Sequence, residues 1–410
     1  MNIDPLVIIQ RNEELIKEKF ADINNISYIN QIRVLDCFRE NRVSSSHFAP
    51  STGYGYNDLG RETLEAIFAK LFGGEDALVR SQIISGTHAL SACLFAVLKK
   101  GDTMVSCIGS PYDTLYRVIT GTRGLQSRGV NYLEIAPDTN GGVDYNALAQ
   151  TAALKPALML VQRSRGYSSV RKSLTISEID EAVHIIKDIS ENTVVLVDNC
   201  YGEFVETREP GHVKVDLVAG SLIKNPGGGL AAGGGYIAGK AEMIELVADH
   251  LVAPGLGKEI GPSLYDLRTV YQGLFLAPHV VGEALKTALL TASVFSELGL
   301  TVYPEWQETR SDIVQAVALR SKEELASFVE KVQQCSPVDS HVRPVFGEMP
   351  GYDDKIIMAA GTFVQGSSIE ISCDAPLRRP YLAFLQGGLA YQHSRYVISE
   401  LIELVNSWKY

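Results

Sequence analysis

The chain has 410 residues, of which 46% are hydrophobic and 21% are charged, as in an average soluble globular protein. At about 150 residues per domain, this length predicts two or three domains, each large enough to bury a core. The composition excludes a disordered chain, a collagen-like chain and a disulfide-stapled miniprotein. The formal net charge of −11 argues against nucleic acid as the main partner, because neutralising phosphates requires a basic surface.

The sequence also predicts a cytoplasmic protein without membrane contact. We find no run of about 18 apolar residues that could span a bilayer. The first five residues, MNIDP, lack the charged and apolar regions of a signal peptide. The six cysteines stand far apart, and the sequence holds neither a C-x-x-C pair nor an H-E-x-x-H motif, so we expect no metal site. Unpaired cysteines fit a reducing cytoplasm.

Residues 1–55 differ from those that follow and are predicted to form an N-terminal arm. Residues 5–20 and 32–39 have the pattern of amphipathic helices. The stretch from Thr52 to Asp58 is rich in glycine and tyrosine. It is too polar for a core element, and we interpret it as a loop.

Between residues 56 and 276, short apolar runs alternate with helical patterns. This alternation predicts a large, mostly parallel α/β sheet with helices on both faces. The helices are predicted at residues 62–72, 87–100 and 175–190. A capping box of Thr175 and Glu178 begins the last of them. The strands are predicted at residues 77–84, 104–108, 132–135, 157–161, 194–197, 217–223 and 235–238.

Residues 277–410 mix strands and helices in a way that predicts a smaller α+β domain. Helices are predicted at residues 280–298, 321–334 and 391–406. Strands are predicted at residues 300–303, 313–317 and 368–372. The sequence therefore predicts an arm, a large domain at residues 56–276 and a small C-terminal domain.

Because open parallel sheets bind ligands at the carboxyl ends of their strands, polar residues directly after strands are the first candidates. Ser85, Gly86, Thr87 and His88 lie between a predicted strand and an apolar helix. Free N–H groups in such a turn can bind an anion such as phosphate. Serine and threonine are also ordinary helix N-caps, so this turn alone does not decide between the two readings.

An acid and a lysine follow two later strands. Asp198 ends the apolar run 194–197, where a carboxylate either caps the backbone or holds a cationic partner. Lys224 ends another apolar run beside three glycines. Burial or a neighbouring cation would lower its pKa and let the amine form a Schiff base, although most turn lysines are simply solvated. A P-loop pattern that ends at Lys240 is excluded, because Ala241 replaces the required serine or threonine.

Near the C-terminus, Arg378 and Arg379 lie between two prolines. Arginine can bind a carboxylate through two hydrogen bonds, and a surface arginine pair is the alternative. An anion site, then Asp198, then Lys224 is the order that pyridoxal 5′-phosphate requires. Its phosphate needs a helix N-terminus, its pyridinium nitrogen needs an anion and its aldehyde needs a lysine.

These segments resemble the fold-type I pyridoxal-phosphate enzymes of the Cys/Met metabolism branch, which includes cystathionine and methionine γ-lyases. The resemblance is closest to the methionine γ-lyase-like, aluminium-resistance-associated (cystathionine β-lyase-like) group. It spans nearly the whole chain. The matching segments are VLVDNCYGEF (195–204), GSLIKNPGGG (220–229), SCDAPLR (372–378), SGTHAL (85–90) and TGYGY (52–56). The resemblance implies the aspartate aminotransferase-like α/β fold, with residues 56–276 binding the cofactor.

The resemblance also implies roles for single residues. Lys224 would form the internal aldimine and move protons, and Asp198 would pair with the pyridine nitrogen. Tyr112 would stack on the ring, with a buried structural tyrosine as the alternative. The substrate carboxylate would be held by Arg378, and Arg165 is a second candidate for it or for the O3′ side of the cofactor. The phosphate would be bound by Ser85, Gly86, Thr87 and Ser221.

In the family's well-known γ-lyases, a neighbouring subunit supplies a Tyr-x-Arg motif to the phosphate. That spacing is absent here, since Tyr54 and Tyr56 are followed by Arg61 instead. We carry over Tyr56 as the leaving-group or phosphate tyrosine and Arg61 as a phosphate ligand. Sites shared between subunits imply a homodimer at least, and the family suggests a homotetramer.

The sequence thus predicts a pyridoxal-phosphate-dependent carbon–sulfur lyase that acts on a sulfur-containing amino acid. It would be of the methionine γ-lyase or cystathionine β-lyase type. Another reaction on the same fold, such as aminotransfer, is one alternative. A non-catalytic, stress-linked protein that binds the cofactor is another. The sequence does not choose the substrate or decide between β- and γ-elimination.

Overall fold

The computed structural model describes residues 4–408. Residues 1–3, which carry part of the signal-peptide prediction, and residues 409–410 lie outside this part. The chain begins with helices α1 (Pro5–Leu15) and α2 (Lys17–Glu40). The predicted helix at residues 32–39 is only the end of α2. Helix α2 buries Ile23, Val34 and Cys37 and packs along a long helix, α9 (Arg268–Glu297). Packing against α9 therefore stabilises α2 over more residues than the sequence pattern predicted.

A large sheet of seven strands forms the centre of the described part of the chain. Its order is β1-β7-β6-β5-β4-β2-β3, and all pairs are parallel except the two made by β7. The predicted mostly parallel α/β sheet is therefore confirmed. The strands are β1 (Asp76–Arg80), β2 (Thr103–Ser106), β3 (Asn131–Glu134), β4 (Leu158–Gln162), β5 (Val194–Asp198), β6 (Leu217–Ser221) and β7 (Gly235–Gly239).

Six helices accompany this sheet within residues 59–251. They are α3 (Leu59–Phe72), α4 (Gly86–Val97), α5 (Asp113–Thr120), α6 (Tyr145–Ala152), α7 (Ile176–Ile189) and α8 (Ala241–Leu251). The capping box predicted for α7 is present. Glu178 accepts the Thr175 backbone N–H at 2.8 Å, and the Thr175 hydroxyl accepts the Glu178 N–H at 3.2 Å. Helices α5 and α6 have eight residues each, too few for a clear periodic pattern.

The C-terminal part holds an antiparallel sheet of the order β10-β11-β12-β9-β8. Its strands are β8 (Val302–Tyr303), β9 (Val314–Leu319), β10 (Ile356–Ala359), β11 (Ser372–Pro376) and β12 (Tyr381–Gln386), and its helices are α10 (Lys322–Gln334) and α11 (Tyr391–Ser407). The strand predicted at residues 368–372 is wrong, because β11 begins where that prediction ends. The predicted domain limits stay predictions, and α9 continues through the limit at residue 276.

Helix α9 corrects the expectation about apolar runs. By length and composition alone it could cross a membrane, with a mean hydropathy of 1.2 over its best window. However, 78% of that window is buried inside the protein. It packs against α2, α11 and β9, so the apolar sequence is explained by its position in the core. All six cysteines are buried and free, and the cytoplasmic location stays a prediction.

The turn after β5 is fixed by Arg163, whose side chain is fully buried. Its guanidinium donates to Asn199 Oδ1 and to the Gly202 carbonyl, both at 2.8 Å. It also forms ion pairs with Glu206 at 2.8 Å and with the buried Glu209 at 3.5 Å. The turn that carries the residues after Asp198 is thus held by charge pairing as well as by packing.

Replacing Arg163 by methionine would leave Glu209 as a buried charge with its ion pair removed. Breaking a buried pair from one side costs about 3–5 kcal/mol, and we expect a loss of that size in the free energy of unfolding, measured by urea denaturation. The matched control is Arg208→Met, which removes a half-exposed arginine 3.7 Å from Asp180 and should cost less than about 1 kcal/mol. Equal losses in both variants would contradict this account of Arg163.

Glu203, in the same turn, is a buried acid with few partners. One carboxylate oxygen accepts the Tyr236 hydroxyl at 2.9 Å. Within residues 4–408, the other oxygen is buried without a hydrogen-bond partner. Burial is the main cause that raises the pKa of Glu203 from 4.5 to about 8. The folded protein therefore holds a proton on Glu203 at pH values where the unfolded chain has lost it.

This raised pKa predicts a pH-dependent stability. Between about pH 4.5 and 8 the folded state binds more protons than the unfolded state, so the free energy of unfolding should fall as pH rises through that range. Relative to Glu203→Gln, the wild-type protein should lose up to about 1.4 kcal/mol per pH unit. Urea denaturation from pH 5 to 8 measures this difference. The exposed Glu191→Gln control should parallel the wild type, and parallel curves for Glu203→Gln would refute the prediction.

Candidate active site

A cavity of about 200 Å³ lies at the carboxyl ends of β4, β5 and β6, where it opens to solvent. We call it the Lys224 cavity. One wall comes from the large sheet and α4, and the other comes from the antiparallel sheet. Its lining residues include seven that the sequence predicted for the cofactor: Ser85, Gly86, Thr87, Tyr112, Asp198, Ser221 and Lys224. The fold therefore brings together segments that are far apart in the chain.

The predicted anion site is the N-terminus of α4. Ser85 is the N-cap, and its hydroxyl accepts the His88 N–H at 3.1 Å. Gly86 is buried, and a Cβ atom there would lie 3.1 Å from Cys200 Sγ and 3.3 Å from Ser221 Cβ. Only glycine lets the helix start approach β6 this closely. The Thr87 hydroxyl lies 2.9 Å from the Tyr112 hydroxyl, so the predicted ring-stacking tyrosine borders the same helix start.

Asp198 ends β5 and is 3% exposed. It accepts the Cys200 N–H at 3.1 Å. Burial raises the pKa of Asp198, and the charges of Lys224 and Arg171 oppose this rise together with hydrogen bonds from Cys200. Because burial prevails, a positively charged N–H donor beside Asp198 would be favourable, since it stabilises the ionised carboxylate.

Lys224 follows β6 and directs its ammonium to the face of an aromatic ring. Its Nζ lies 3.7 Å from the centroid of the Tyr201 ring. Burial alone would lower the pKa of Lys224, but the fall expected from the sequence does not result. The neighbouring Cys200, Tyr201 and Asp198 outweigh burial, and the pKa is raised well above its usual value. The amine is thus surrounded by groups that favour its charged form.

These groups fit pyridoxal 5′-phosphate. The start of α4 offers free N–H groups to a phosphate, and Gly86 lets that helix start lie close to Ser221. The buried Asp198 carboxylate suits a protonated ring nitrogen, and Lys224 lies in the same cavity. Within residues 4–408, no group of three or more His, Cys, Asp or Glu side chains is arranged to hold a metal ion.

Two predicted arginines do not line the Lys224 cavity in the described chain. The Arg165 side chain is buried elsewhere and donates to the Arg171 carbonyl at 3.1 Å. Arg378 is 40% exposed and pairs with Asp354 at 3.1 Å and with Asp113 at 3.5 Å. In this conformation neither guanidinium reaches the cavity, and their roles in substrate binding stay predictions without support from its lining.

Tyr56 and Arg61 of the same chain also lie outside the cavity lining. Tyr56 is 57% exposed. Arg61 is buried, and its Nη1 donates to the carbonyls of Gly55 at 3.1 Å and Gly261 at 2.7 Å. Their predicted roles involve a second subunit, so the geometry of one chain leaves them as predictions.

Several lining residues were not predicted from the sequence. Gln162 ends β4 and pairs in register with Asp198, so its position at a strand end was a signal that could have identified it. The others carry no comparable signal, because they come from turns and from the antiparallel sheet. They include Ser164, Tyr167, Cys200, Tyr201, Tyr352 and Gln386.

Comparison with known proteins gives relatives over nearly the whole chain. A family model described as methionine gamma-lyase matches residues 6–406. The uncharacterized protein YnbB of Bacillus subtilis (strain 168) is 50% identical over 387 residues, which cover 93% of this chain and 91% of that protein.

Two solved structures are similar to this chain over nearly its whole length. One is named "putative cystathionine beta-lyase involved in aluminum resistance", from Listeria innocua. It has a TM-score of 0.94 at 46% identity and covers 98% of this chain and 99% of its own. The other is a carbon-sulfur lyase involved in aluminum resistance from Clostridium novyi NT. It has a TM-score of 0.92 at 42% identity and covers 99% of this chain and 96% of its own.

More distant structures share the fold. The pyridoxal-5′-phosphate-dependent protein YhfS from Escherichia coli has a TM-score of 0.63 at 14% identity and covers 94% of this chain and 97% of its own. The predicted fold-type I architecture is therefore confirmed, as is the resemblance inferred from the motifs. Because the family depends on pyridoxal 5′-phosphate, membership implies that cofactor. With a family model matched over residues 6–406, the chain belongs to the methionine gamma-lyase family.

Proposed function

We propose that the chain is a pyridoxal-phosphate-dependent carbon–sulfur lyase that releases a thiol from a sulfur-containing amino acid. The observation that carries this proposal is the joint presence of Lys224, Asp198 and the start of α4 in one cavity. The carbon-sulfur lyase name of the Clostridium novyi relative supports elimination over other reactions on this fold. Methionine γ-lyase and cystathionine β-lyase chemistry both remain within the proposal.

In this proposal each of the residues that line the cavity has a defined role. The bound cofactor supplies an electron sink for bonds broken at the α-carbon. Asp198 keeps the ring nitrogen protonated, and the N–H groups at the start of α4 hold the phosphate with Ser221. Lys224 Nζ would hold the cofactor aldehyde until the amino group of the substrate displaces it; the freed Lys224 amine would then accept the α-proton and return protons as the thiol leaves.

We also propose that the protein is a homodimer at least, and that two dimers form a homotetramer. Three segments, around Tyr54, Gln82 and Pro262, lie next to one another and support a subunit contact. Gln82 donates to the Pro262 carbonyl at 2.8 Å, and Gly261 donates to the Tyr54 carbonyl at 3.0 Å. These segments expose large apolar side chains beside Ser85. The exposed residues are Tyr54, Tyr56, Ile84, Leu264 and Tyr265. A second copy would cover them and bring its own exposed Tyr56 towards this cavity, whereas its Arg61 is buried and held by the carbonyls of Gly55 and Gly261.

The covalent role of Lys224 can be tested by absorbance. Protein reconstituted with pyridoxal 5′-phosphate should absorb near about 420 nm, and borohydride should remove that band, as expected for a Schiff-base lysine. Lys224→Ala should lack the borohydride-sensitive band. The control is Lys240→Ala, whose lysine pairs with Asp216 at 2.7 Å outside the cavity, and it should keep the band. Reconstituted wild-type protein that stays colourless would refute the cofactor assignment.

Product analysis separates elimination from the alternatives. We expect at least one of four compounds, methionine, cysteine, homocysteine and cystathionine, to yield a keto acid, ammonia and a thiol in equal amounts. Lys224→Ala should lower that rate by about 100-fold or more, because it removes the acid–base group. A new amino acid in place of ammonia would identify an aminotransferase. A Lys224→Ala gene that still complements a deletion would favour the non-catalytic alternative.

A further inference from the structure

Tyr201 lies where the two sheets meet and lines the Lys224 cavity. It follows β5 of the large sheet, yet its side chain packs against a cluster on β9 and β12 of the antiparallel sheet. The members of that cluster are Val314, Ala316, Leu382 and Phe384. The ring is therefore held by apolar packing, and its centroid lies 3.7 Å from Lys224 Nζ.

The backbone of Tyr201 has a conformation that tyrosine rarely adopts. The Gly202 N–H donates to the Asn199 carbonyl at 2.9 Å and closes a turn in which Tyr201 is the third residue. Its φ of 73° is one that this position usually gives to glycine or asparagine. Arg163 holds the turn on both sides of Tyr201, through Asn199 Oδ1 and the Gly202 carbonyl. A bulky side chain kept in a strained turn beside a cavity indicates a functional role.

The ring of Tyr201 takes the place that a carboxylate often has beside a buried lysine. Within residues 4–408, Lys224 forms no ion pair, although the charge of Asp198 acts on it from farther away. A ring face attracts an ammonium without neutralising it. Lys224 can therefore leave the ring without breaking an ion pair.

We propose that Tyr201 is a positioning residue for Lys224, whose ammonium its ring face holds whenever the lysine is not bonded to the cofactor. For the reaction itself this inference rests on the proposed lyase function. When the freed amine breaks the Cα–H bond, Nζ takes the proton and the electron pair passes to the cofactor. The ammonium formed in this way again lies over the ring. Because the ring attracts the ammonium more than the neutral amine, Tyr201 makes Lys224 a stronger base.

Capture of pyridoxal 5′-phosphate by the cofactor-free protein tests this inference without turnover. Only the neutral amine attacks an aldehyde, so the capture rate at a fixed pH reports how much of Lys224 is neutral. Tyr201→Leu removes the ring face, and leucine, like tyrosine, has no β-branch. We expect this variant to capture the cofactor about 10-fold faster between about pH 7 and 9, because the pKa of Lys224 falls. Stopped-flow absorbance at about 420 nm measures the rate.

Two variants control for the loss of packing. Tyr201→Phe keeps the ring face and should stay within about twofold of the wild-type rate. Tyr303 packs against the same cluster and has Arg165 at 5.5 Å from its ring, but it lies outside the cavity lining. Tyr303→Leu should therefore capture the cofactor at the wild-type rate.

The direction of the change separates the proposed role from a loss of structure, since a damaged cavity would capture the cofactor more slowly. An unchanged or slower rate in Tyr201→Leu, or an equal acceleration in Tyr303→Leu, would overturn the inference. If Tyr201→Leu does not fold, 3,4,5-trifluorophenylalanine at position 201 keeps the shape of the ring and withdraws negative charge from its face. That variant should capture the cofactor faster than Tyr201→Phe, and equal rates would overturn the inference.

Turnover separates this inference from the lyase proposal. Tyr201→Leu should lower kcat for thiol release about 10-fold with little change in KM, and it should raise the α-deuterium isotope effect on kcat, because a weaker base breaks the Cα–H bond more slowly. Thiol release combined with an unchanged capture rate in Tyr201→Leu would keep the lyase and reject the role of Tyr201. Faster capture in a protein that releases no thiol from any sulfur amino acid would keep the contact with Lys224 and reject the lyase.

Discussion

The ammonium of Lys224 is the positive charge that the buried acids around it share. Burial raises the pKa of Asp198, Glu203 and Asp374, and in each case the charge of Lys224 acts in the opposite direction. These acids come from β5, from the turn after it and from β11, so one cation serves two separate sheets. Burial outweighs that charge in all three cases, so the charged forms of these acids are disfavoured even beside Lys224. Lys224 therefore has an electrostatic role that precedes any reaction.

Steric constraints determine where the ammonium of Lys224 lies. The parallel strands β4, β5 and β6 end at one edge of the sheet, with Gln162 opposite Asp198 and Asp198 opposite Ala219. Helix α4 begins over this edge, and Gly86 lets it approach Cys200 and Ser221. Arg163 holds the turn after β5 through hydrogen bonds to Asn199 and Gly202. The start of α4 and the Asp198 carboxylate thus line one cavity together with Lys224.

The residues proposed to bind the cofactor could be identified from the sequence because their signals are local. Asp198 and Lys224 directly follow apolar runs, and Ser85 directly precedes an apolar helix, so each marks a strand end or a helix start. The substrate side could not be predicted in this way. Tyr167 and Asp374 are joined by a hydrogen bond between residues 207 positions apart, and only the packing of the two sheets creates that contact. Both Arg378 and Asp374 belong to the short motif at residues 372–378. Residue chemistry favoured Arg378 as the ligand of the substrate carboxylate, whereas the alternation of side chains along β11 directs Asp374 towards the cavity wall.

The cavity lining offers little positive charge to the α-carboxylate of a substrate. Among the lining residues within the described part of the chain, Lys224 is the only cationic side chain, yet every amino-acid substrate brings an α-carboxylate. Uncharged donors such as Ser164 and Gln162 can hold it, or an arginine must move in. Arg378 is already anchored to the Tyr167 carbonyl at 3.1 Å, beside the wall that carries Asp374. A rotation of Arg378 towards the cavity would give up its pairs with Asp113 and Asp354, so the anionic end of the substrate would have to replace those two carboxylates.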